Sequence, residues 1–261
     1  MKIFELDSKI TWRRSAKIDI AQAFYPSFYK DIIKRENFFK ENFKVEIIDA
    51  ELEKLNNIFI PLYMEEVAGR SDFTLDKEKI SSQLAEKITN NNNYKFLFVF
   101  DKNEAVTAVL FSLKNNGLYL AYKANKKDFN KTLSHKATVS YWTEKLIFEY
   151  GKERGVSFFS YGKDSNPYFG KTRIGLSLYK IKTGMKPKKP AVNSAFSVRS
   201  FDEQAIKDKN EPVIFFSNPD EKNYYKDCFL YYPHGSINES YLKEFEKIFE
   251  WSGIRMNFCN Y

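Results

Sequence analysis

The chain has 261 residues, 43% of them hydrophobic and 29% charged, with a formal net charge of +8. At about 100–200 residues per domain this is one large domain or two small ones, and a chain of this length buries enough surface to fold without disulfides. Only 10 glycines and 8 prolines exclude collagen-like and low-complexity chains, and the hydrophobic share excludes wholesale disorder.

No apolar run reaches the roughly 18–20 residues of a membrane helix, so no membrane insertion is expected. The opening residues, Met1-Lys2-Ile3-Phe4-Glu5-Leu6-Asp7, lack the apolar stretch of a signal peptide, and the expected location is cytoplasmic. Cys228 and Cys259 are the only cysteines and are expected to be reduced. With His135 and His234 they show no zinc-ligand spacing, so no metal is expected.

Residues 1–44 read as an N-terminal extension, with a strand-like start, an aromatic and basic stretch at Trp12-Arg13-Arg14 and a helix around Phe28–Phe38. Val45–Ile48 reads as a strand. Leu52, Leu55, Ile58, Phe59, Leu62 and Val67 share one helical face, and Pro61 should kink that helix or end its first segment. Asp76 caps a second helix in which Ile80, Leu84 and Ile88 recur every fourth residue. Tyr94–Phe100 is a nearly continuous apolar run, as in a strand buried on both faces. A turn at Asp101–Glu104 leads to a strand at Ala105–Leu113, and Lys114-Asn115-Asn116-Gly117 signals a hairpin to Leu118–Ala124.

A long helix follows over about Lys136–Arg154, with a stripe of Val139, Trp142, Leu146, Ile147 and Tyr150 and a stop at Gly155. Val156–Tyr161 reads as a strand parallel to its predecessor, by the usual right-handed crossover. A loop at Gly162–Gly170 and a short helix at Arg173–Thr183 come next. Residues 191–261 hold strands at Val213–Ser217, Cys228–Tyr232 and Ile254–Cys259 and a helix at Glu239–Trp251, forming either a second lobe or an extension of the same sheet.

Two local segments carry a family resemblance. The long helix ends Gly151-Lys152-Glu153-Arg154-Gly155 and runs directly into a short aromatic strand. The second segment is Gly175-Leu176-Ser177-Leu178-Tyr179-Lys180-Ile181-Lys182-Thr183-Gly184-Met185-Lys186-Pro187, similar to the pattern G-L-x-x-[FY]-K-x-x-x-G-x-x-P. In this order they resemble the GNAT acyltransferase superfamily, and within it the FemAB-like branch of aminoacyl and acyl transferases. The resemblance implies an α/β (α+β) fold, a GNAT-like mixed, mostly antiparallel sheet flanked by helices. The core would span 45–190, with residues 191–261 as an additional C-terminal α+β lobe. Where GNAT enzymes place R/Q-x-x-G-x-G/A, this chain has His135-Lys136-Ala137-Thr138-Val139-Ser140. Thr138 and Ser140 are not glycines, so the donor is left open between acyl-coenzyme A and aminoacyl-tRNA.

A helix N-terminus presents unpaired backbone N–H groups that suit a phosphate. Lys126, Lys131 and Lys136 lead into the long helix, so with Ala137, Thr138 and Lys180 they are the expected coenzyme A contacts. The resemblance implies that Tyr179 protonates a departing thiolate. An amine acceptor must lose a proton before it attacks, and Glu66, Asp164 and His135 are the candidate bases. Arg70, Tyr168 and His234 are the candidate acceptor contacts. The expected function is acyl transfer from acyl-coenzyme A to a primary amine, of a nucleotide-linked amino sugar in surface-polysaccharide synthesis. The alternatives are an aminoacyl-tRNA-dependent transferase, the one way nucleic acid would be a partner of the enzyme, and a non-catalytic RNA-binding module. No P-loop, dinucleotide fingerprint, zinc-protease or nucleophile-elbow motif occurs.

Overall fold

Local sequence signals become elements along most of the chain. The computed structural model describes residues 3–67, 76–127, 129, 139–166, 168–169, 171–190 and 198–261. The chain opens with strands β1 (Ile3–Asp7) and β2 (Lys9–Ser15), helices α1 (Ile20–Ala23) and α2 (Pro26–Asn42) and strand β3 (Phe43–Asp49). Next come α3 (Leu52–Lys54), a π-helical turn (Leu55–Phe59), α4 (Ile60–Val67) and α5 (Lys77–Thr89). Strands β4 (Tyr94–Asp101), β5 (Glu104–Lys114) and β6 (Gly117–Asn125) precede the long helix α6 (Val139–Glu153). After β7 (Phe158–Ser165), β8 (Tyr168–Phe169) and α7 (Lys171–Lys182) the chain passes through β9 (Lys186–Lys188), β10 (Val198–Asp202) and α8 (Glu203–Lys207). It ends with β11 (Val213–Pro219), β12 (Tyr225–Tyr232), α9 (Glu239–Trp251) and β13 (Arg255–Asn260). None of the described helices is long and apolar enough to cross a membrane.

The residues fall into two units. One comprises Ser15–Ala21 and Pro26–Phe159; the other comprises Met1–Arg14, Gln22–Tyr25 and Ser160–Tyr261.

The first unit is built on an antiparallel meander in the order β3-β4-β5-β6. The β5–β6 turn places Asn115 and Asn116 at φ of 48° and 55°, the left-handed pair that a two-residue hairpin needs. β4 is buried on both faces, as its apolar run requires. Phe96 and Phe98 enter a cluster with Leu55, Phe59, Ile80, Leu84 and Ile88, while the alternating Leu97 and Val99 are buried as well. Asp76 caps α5 by accepting a hydrogen bond from the Glu78 N–H at 2.9 Å. The first helical segment ends beside Pro61, where the helix changes type. The π-helical turn ends just before it, with the Ile60 N–H bonded to the Leu55 carbonyl, and the wider turn absorbs the donor that proline lacks.

α6 buries Trp142 and Ile147 from the expected stripe, and Trp142 stacks on Phe39 at 5.3 Å. It also buries Thr143, Glu144, Lys145 and Phe148, which the stripe does not include. The two charges are tolerated because each is paired. Glu144 meets Lys123 at 2.7 Å, and Lys145 meets Glu36 at 2.9 Å and Glu149 at 2.6 Å.

In the second unit β7, β2 and β9 stand in that order, with Trp12 opposite Pro187. β1 pairs with β10. The C-terminal strands form a sheet of their own, ordered β13-β12-β11-β8, in which only β12 and β13 run parallel. Phe245, Ile248 and Phe249 of α9 are buried, and Phe249 stacks on Phe216 of β11 at 6.2 Å. β7 runs to Ser165, through what reads in sequence as the start of a loop. Gly162 is the reason: at φ 76° it puts a local turn of the backbone inside a strand that continues past it.

α7 ends in a two-bond C-terminal cap. The Gly184 N–H bonds to the Ile181 carbonyl at 2.8 Å and the Met185 N–H to the Lys180 carbonyl at 2.9 Å. Gly184 sits at φ 80°, and a Cβ there would lie 1.8 Å from the Ala23 carbonyl oxygen. Gly175, the other glycine of the motif, has nothing within 4 Å of such a Cβ. The motif's two glycines therefore have different physical standing. Gly184→Ala is expected to destabilise by more than about 2 kcal/mol, because both conformation and space are lost. Gly175→Ala, inside α7, should be neutral or stabilise by up to about 1 kcal/mol. Urea unfolding of the two variants separates these outcomes.

Candidate functional site

The end of β7 and the buried face of α7 gather one cluster. Lys180 is 7% exposed, and its ammonium is hydrogen-bonded to the Asp164 carboxylate. It also donates to the Tyr161 carbonyl at 3.3 Å and lies 5.5 Å from the centre of the Trp12 ring. An ammonium this buried carries a desolvation cost of several kcal/mol, which only a close anion and directed acceptors offset. Tyr179, half-buried, precedes Lys180 on the same helix, and its carbonyl accepts from the Thr183 N–H at 3.0 Å. The Arg14 guanidinium donates to the Thr183 carbonyl at 2.6 Å and lies over the Phe24 ring at 5.0 Å. Among the described residues none hydrogen-bonds the buried Tyr161 hydroxyl.

Asn166 follows two residues after Asp164 and is 2% exposed. Its side chain exchanges hydrogen bonds with the main chain of Phe216, donating to the carbonyl and accepting from the N–H, both at 3.0 Å. Its own N–H donates to the Ser8 carbonyl at 3.1 Å. One amide thus ties the end of β7 to the residue after β1 and to β11.

A second cluster belongs to the meander unit, at the end of β6. Glu66 accepts from the Asn125 N–H at 2.7 Å, and Glu65 accepts from the Lys127 N–H at 3.0 Å. Lys126 pairs with Glu104 at 2.5 Å. Lys123 pairs with Glu144 and donates to the Ser140 carbonyl, which fixes the strand against the first described turn of α6. Carboxylates of α4 hold the main chain here, so the strand's exit is positioned by charge-assisted hydrogen bonds.

The structure therefore brings Asp164 and Lys180 into direct contact, with Tyr179 adjacent on α7. It places Glu66 on the residue preceding Lys126. His234 is exposed in the turn after β12, where its Nδ1 lies 3.2 Å from the Asn260 amide nitrogen and its N–H donates to the Tyr261 carbonyl at 2.8 Å. Tyr168 stands in β8 opposite Ile214. Arg70, Lys131, His135, Lys136, Ala137 and Thr138 lie outside the described residues. Among the described residues no group of three or more His, Cys, Asp or Glu side chains is placed to hold a metal ion. Sequence reading singled out Asp164 and Lys180 separately but not their pairing, and it missed Asn166 and the buried Lys123–Glu144 pair. A loop asparagine carries no local signal, and Lys123 reads as one more basic residue in a basic segment.

No protein-family profile and no curated protein matches the sequence. The fold does match solved structures. The chain is similar to FemX with a TM-score of 0.52 and 12% identity, over 68% of this chain and 59% of FemX. It is also similar to a conserved protein of unknown function from Bacteroides thetaiotaomicron, with a TM-score of 0.48 and 9% identity over 76% of this chain and 60% of that one. A third likeness is to L-PGS from Bacillus licheniformis, with a TM-score of 0.39 and 12% identity over 62% and 46%. The chain spans less than two thirds of each of these proteins. The fold is a mixed α/β one, like that of FemX, in which the C-terminal strands form a sheet of their own.

The Lys180–Asp164 pair makes a sharp stability prediction. Lys180→Met or Asp164→Leu alone breaks the ion pair and leaves the other charge largely shielded from water, at an expected cost of about 3–5 kcal/mol. The double change Lys180→Met/Asp164→Leu should recover most of that loss. Chemical denaturation of the three variants measures the coupling, and additive effects would contradict the pairing.

Proposed function

We propose that the chain is a transferase that moves an acyl or aminoacyl group from an activated donor to a primary amine, by direct attack with both substrates bound. The observation that supports this reading is the Lys180–Asp164 cluster with Tyr179 beside it. It sits at the carboxyl end of β7, in a fold shared with FemX. Open α/β sheets bind ligands beyond the carboxyl ends of their strands.

The favoured donor is acyl-coenzyme A. Its phosphates would be held by Lys126, Lys131 and Lys136 and by main-chain N–H groups of Ala137 and Thr138, since a helix start favours anions. Lys180 adds a cation near a developing negative charge. The amine lone pair attacks the thioester carbonyl carbon, the carbon–sulfur bond breaks, and Tyr179 gives its proton to the leaving sulfur. The proton lost by the amine goes to Glu66, Asp164 or His135. Arg70, Tyr168 and His234 contact the acceptor, a nucleotide-linked amino sugar used in surface-polysaccharide synthesis, and the reaction is cytoplasmic. Orientation and a polarised carbonyl do most of the work in such a transfer, with no covalent enzyme intermediate.

The second reading uses aminoacyl-tRNA as the donor. Thr138 and Ser140 in place of glycines, and the net charge of +8, favour it. The test is a transfer assay pairing acetyl-coenzyme A or alanyl-tRNA with UDP-glucosamine. Transfer from one donor is expected, with Tyr179→Phe lowering kcat about 100-fold or more for the thioester and leaving KM nearly unchanged. Transfer from neither donor contradicts the proposal, and an unchanged kcat in Tyr179→Phe removes that residue from its role.

A further inference from the structure

A cleft of about 190 Å³ opens in the unit that contains β1 and the C-terminal sheet, lined in part by Asp7, Lys189, Phe216, Asn218 and Tyr225. We propose that this cleft is where the primary ammonium group of the acceptor is first held, with the Asp7 carboxylate as its counter-ion, ahead of proton loss and attack. The proposal rests on the transferase reading and deepens it.

The carboxylate is held but not used up. One Asp7 oxygen accepts from the Tyr225 hydroxyl at 2.6 Å, while the other faces the Lys189 ammonium at 3.6 Å, beyond hydrogen-bond distance. An ionised carboxylate has about four acceptor positions, so directed capacity remains toward the cleft. The Asp7 side chain is 14% exposed and that of Lys189 39%, so in this long ion pair the cation is the more solvated partner. Tyr225 is 3% exposed. Burial pushes its hydroxyl well above the usual range and the bond to Asp7 pushes it further, so it remains a donor at neutral pH and fixes the carboxylate.

Asn218 on the cleft's lining is fixed by its neighbours. Asn218 adopts φ 55° inside β11, a left-handed position that side-chain-bearing residues rarely take within a strand. Its side chain donates to Asp227 at 2.9 Å, and Arg255 donates to the other oxygen of Asp227 at 2.7 Å.

Asn166 supplies the link to the chemistry. It bonds the main chain of Ser8, next to Asp7, and of Phe216, which lines the cleft, and it lies two residues beyond Asp164. The cleft therefore adjoins the same strand end as the Asp164–Lys180 pair. Its volume holds about six waters. That suits the amine-bearing end of a sugar or amino acid, while a nucleotide would have to lie outside.

The test is ligand-observed NMR on the full chain with no donor present, using D-glucosamine and N-acetyl-D-glucosamine as probes. Glucosamine should bind, and its uncharged N-acetyl counterpart should bind about tenfold more weakly or worse. Asp7→Asn keeps an oxygen for the Tyr225 hydroxyl and should weaken glucosamine about tenfold without altering the circular-dichroism spectrum. Should that variant fail to fold, Ser217→Trp, at a partly exposed residue that also lines the cleft, should block glucosamine instead. Equal binding of the two sugars, glucosamine binding untouched by these variants, or no glucosamine binding up to about 10 mM overturns the proposal. Transfer with an unchanged acceptor KM in Asp7→Asn sinks the subsite and keeps the transferase. Charge-dependent glucosamine binding without transfer from either donor does the reverse.

Discussion

A lysine ammonium buried beside an indole ring must be neutralised where it stands, and Lys180 sets much of the surrounding structure. Asp164 and the Tyr161 carbonyl hold it to the end of β7, while its approach to the Trp12 ring draws in β2. Trp12 in turn packs edge-on against Phe216 at 5.5 Å, which carries the arrangement into the C-terminal sheet. One turn further along, the α7 cap seats Gly184 against the Ala23 carbonyl, where no side chain fits. Residues from the two ends of the chain thus form one unit because a charge, a cap and a large indole each demand partners that neither end supplies alone.

The meander unit applies the same rule with different residues. Glu144 and Lys145 are neighbours on α6, both buried, and each is matched by an opposite charge from another element. Removing water from such pairs costs nearly what their attraction returns, so their main effect on stability is the penalty for losing one partner. At the end of β6 the carboxylates of Glu65 and Glu66 hold main-chain N–H groups, which makes them positioning groups for the strand's exit in the folded chain.

Much of this was legible locally. The Asp76 cap, the Ile80–Leu84–Ile88 spacing and the Asn115-Asn116 turn are governed by interactions within a few residues, and sequence periodicity records those directly. β4 was legible because burial on both faces leaves an unbroken apolar run. What escaped has a different physical origin. Gly162 looks like the start of a loop because a lone glycine reports backbone freedom without saying whether the strand resumes. Lys145 looks solvent-facing because periodicity registers polarity and not pairing. Asp7 and Tyr225 are 218 positions apart, and nothing near either residue encodes their hydrogen bond. The candidate site was legible as a set of residue types on α7 and after β7, and illegible as a geometry.

The most direct measurement is calorimetric titration of coenzyme A into the full chain at low and high salt. Saturable one-to-one binding that survives high salt is the predicted result, since the proposed phosphate site would lose less to screening than a loose basic surface does. No binding at either salt, or binding that vanishes as counterions are added, would contradict an acyl-coenzyme A donor.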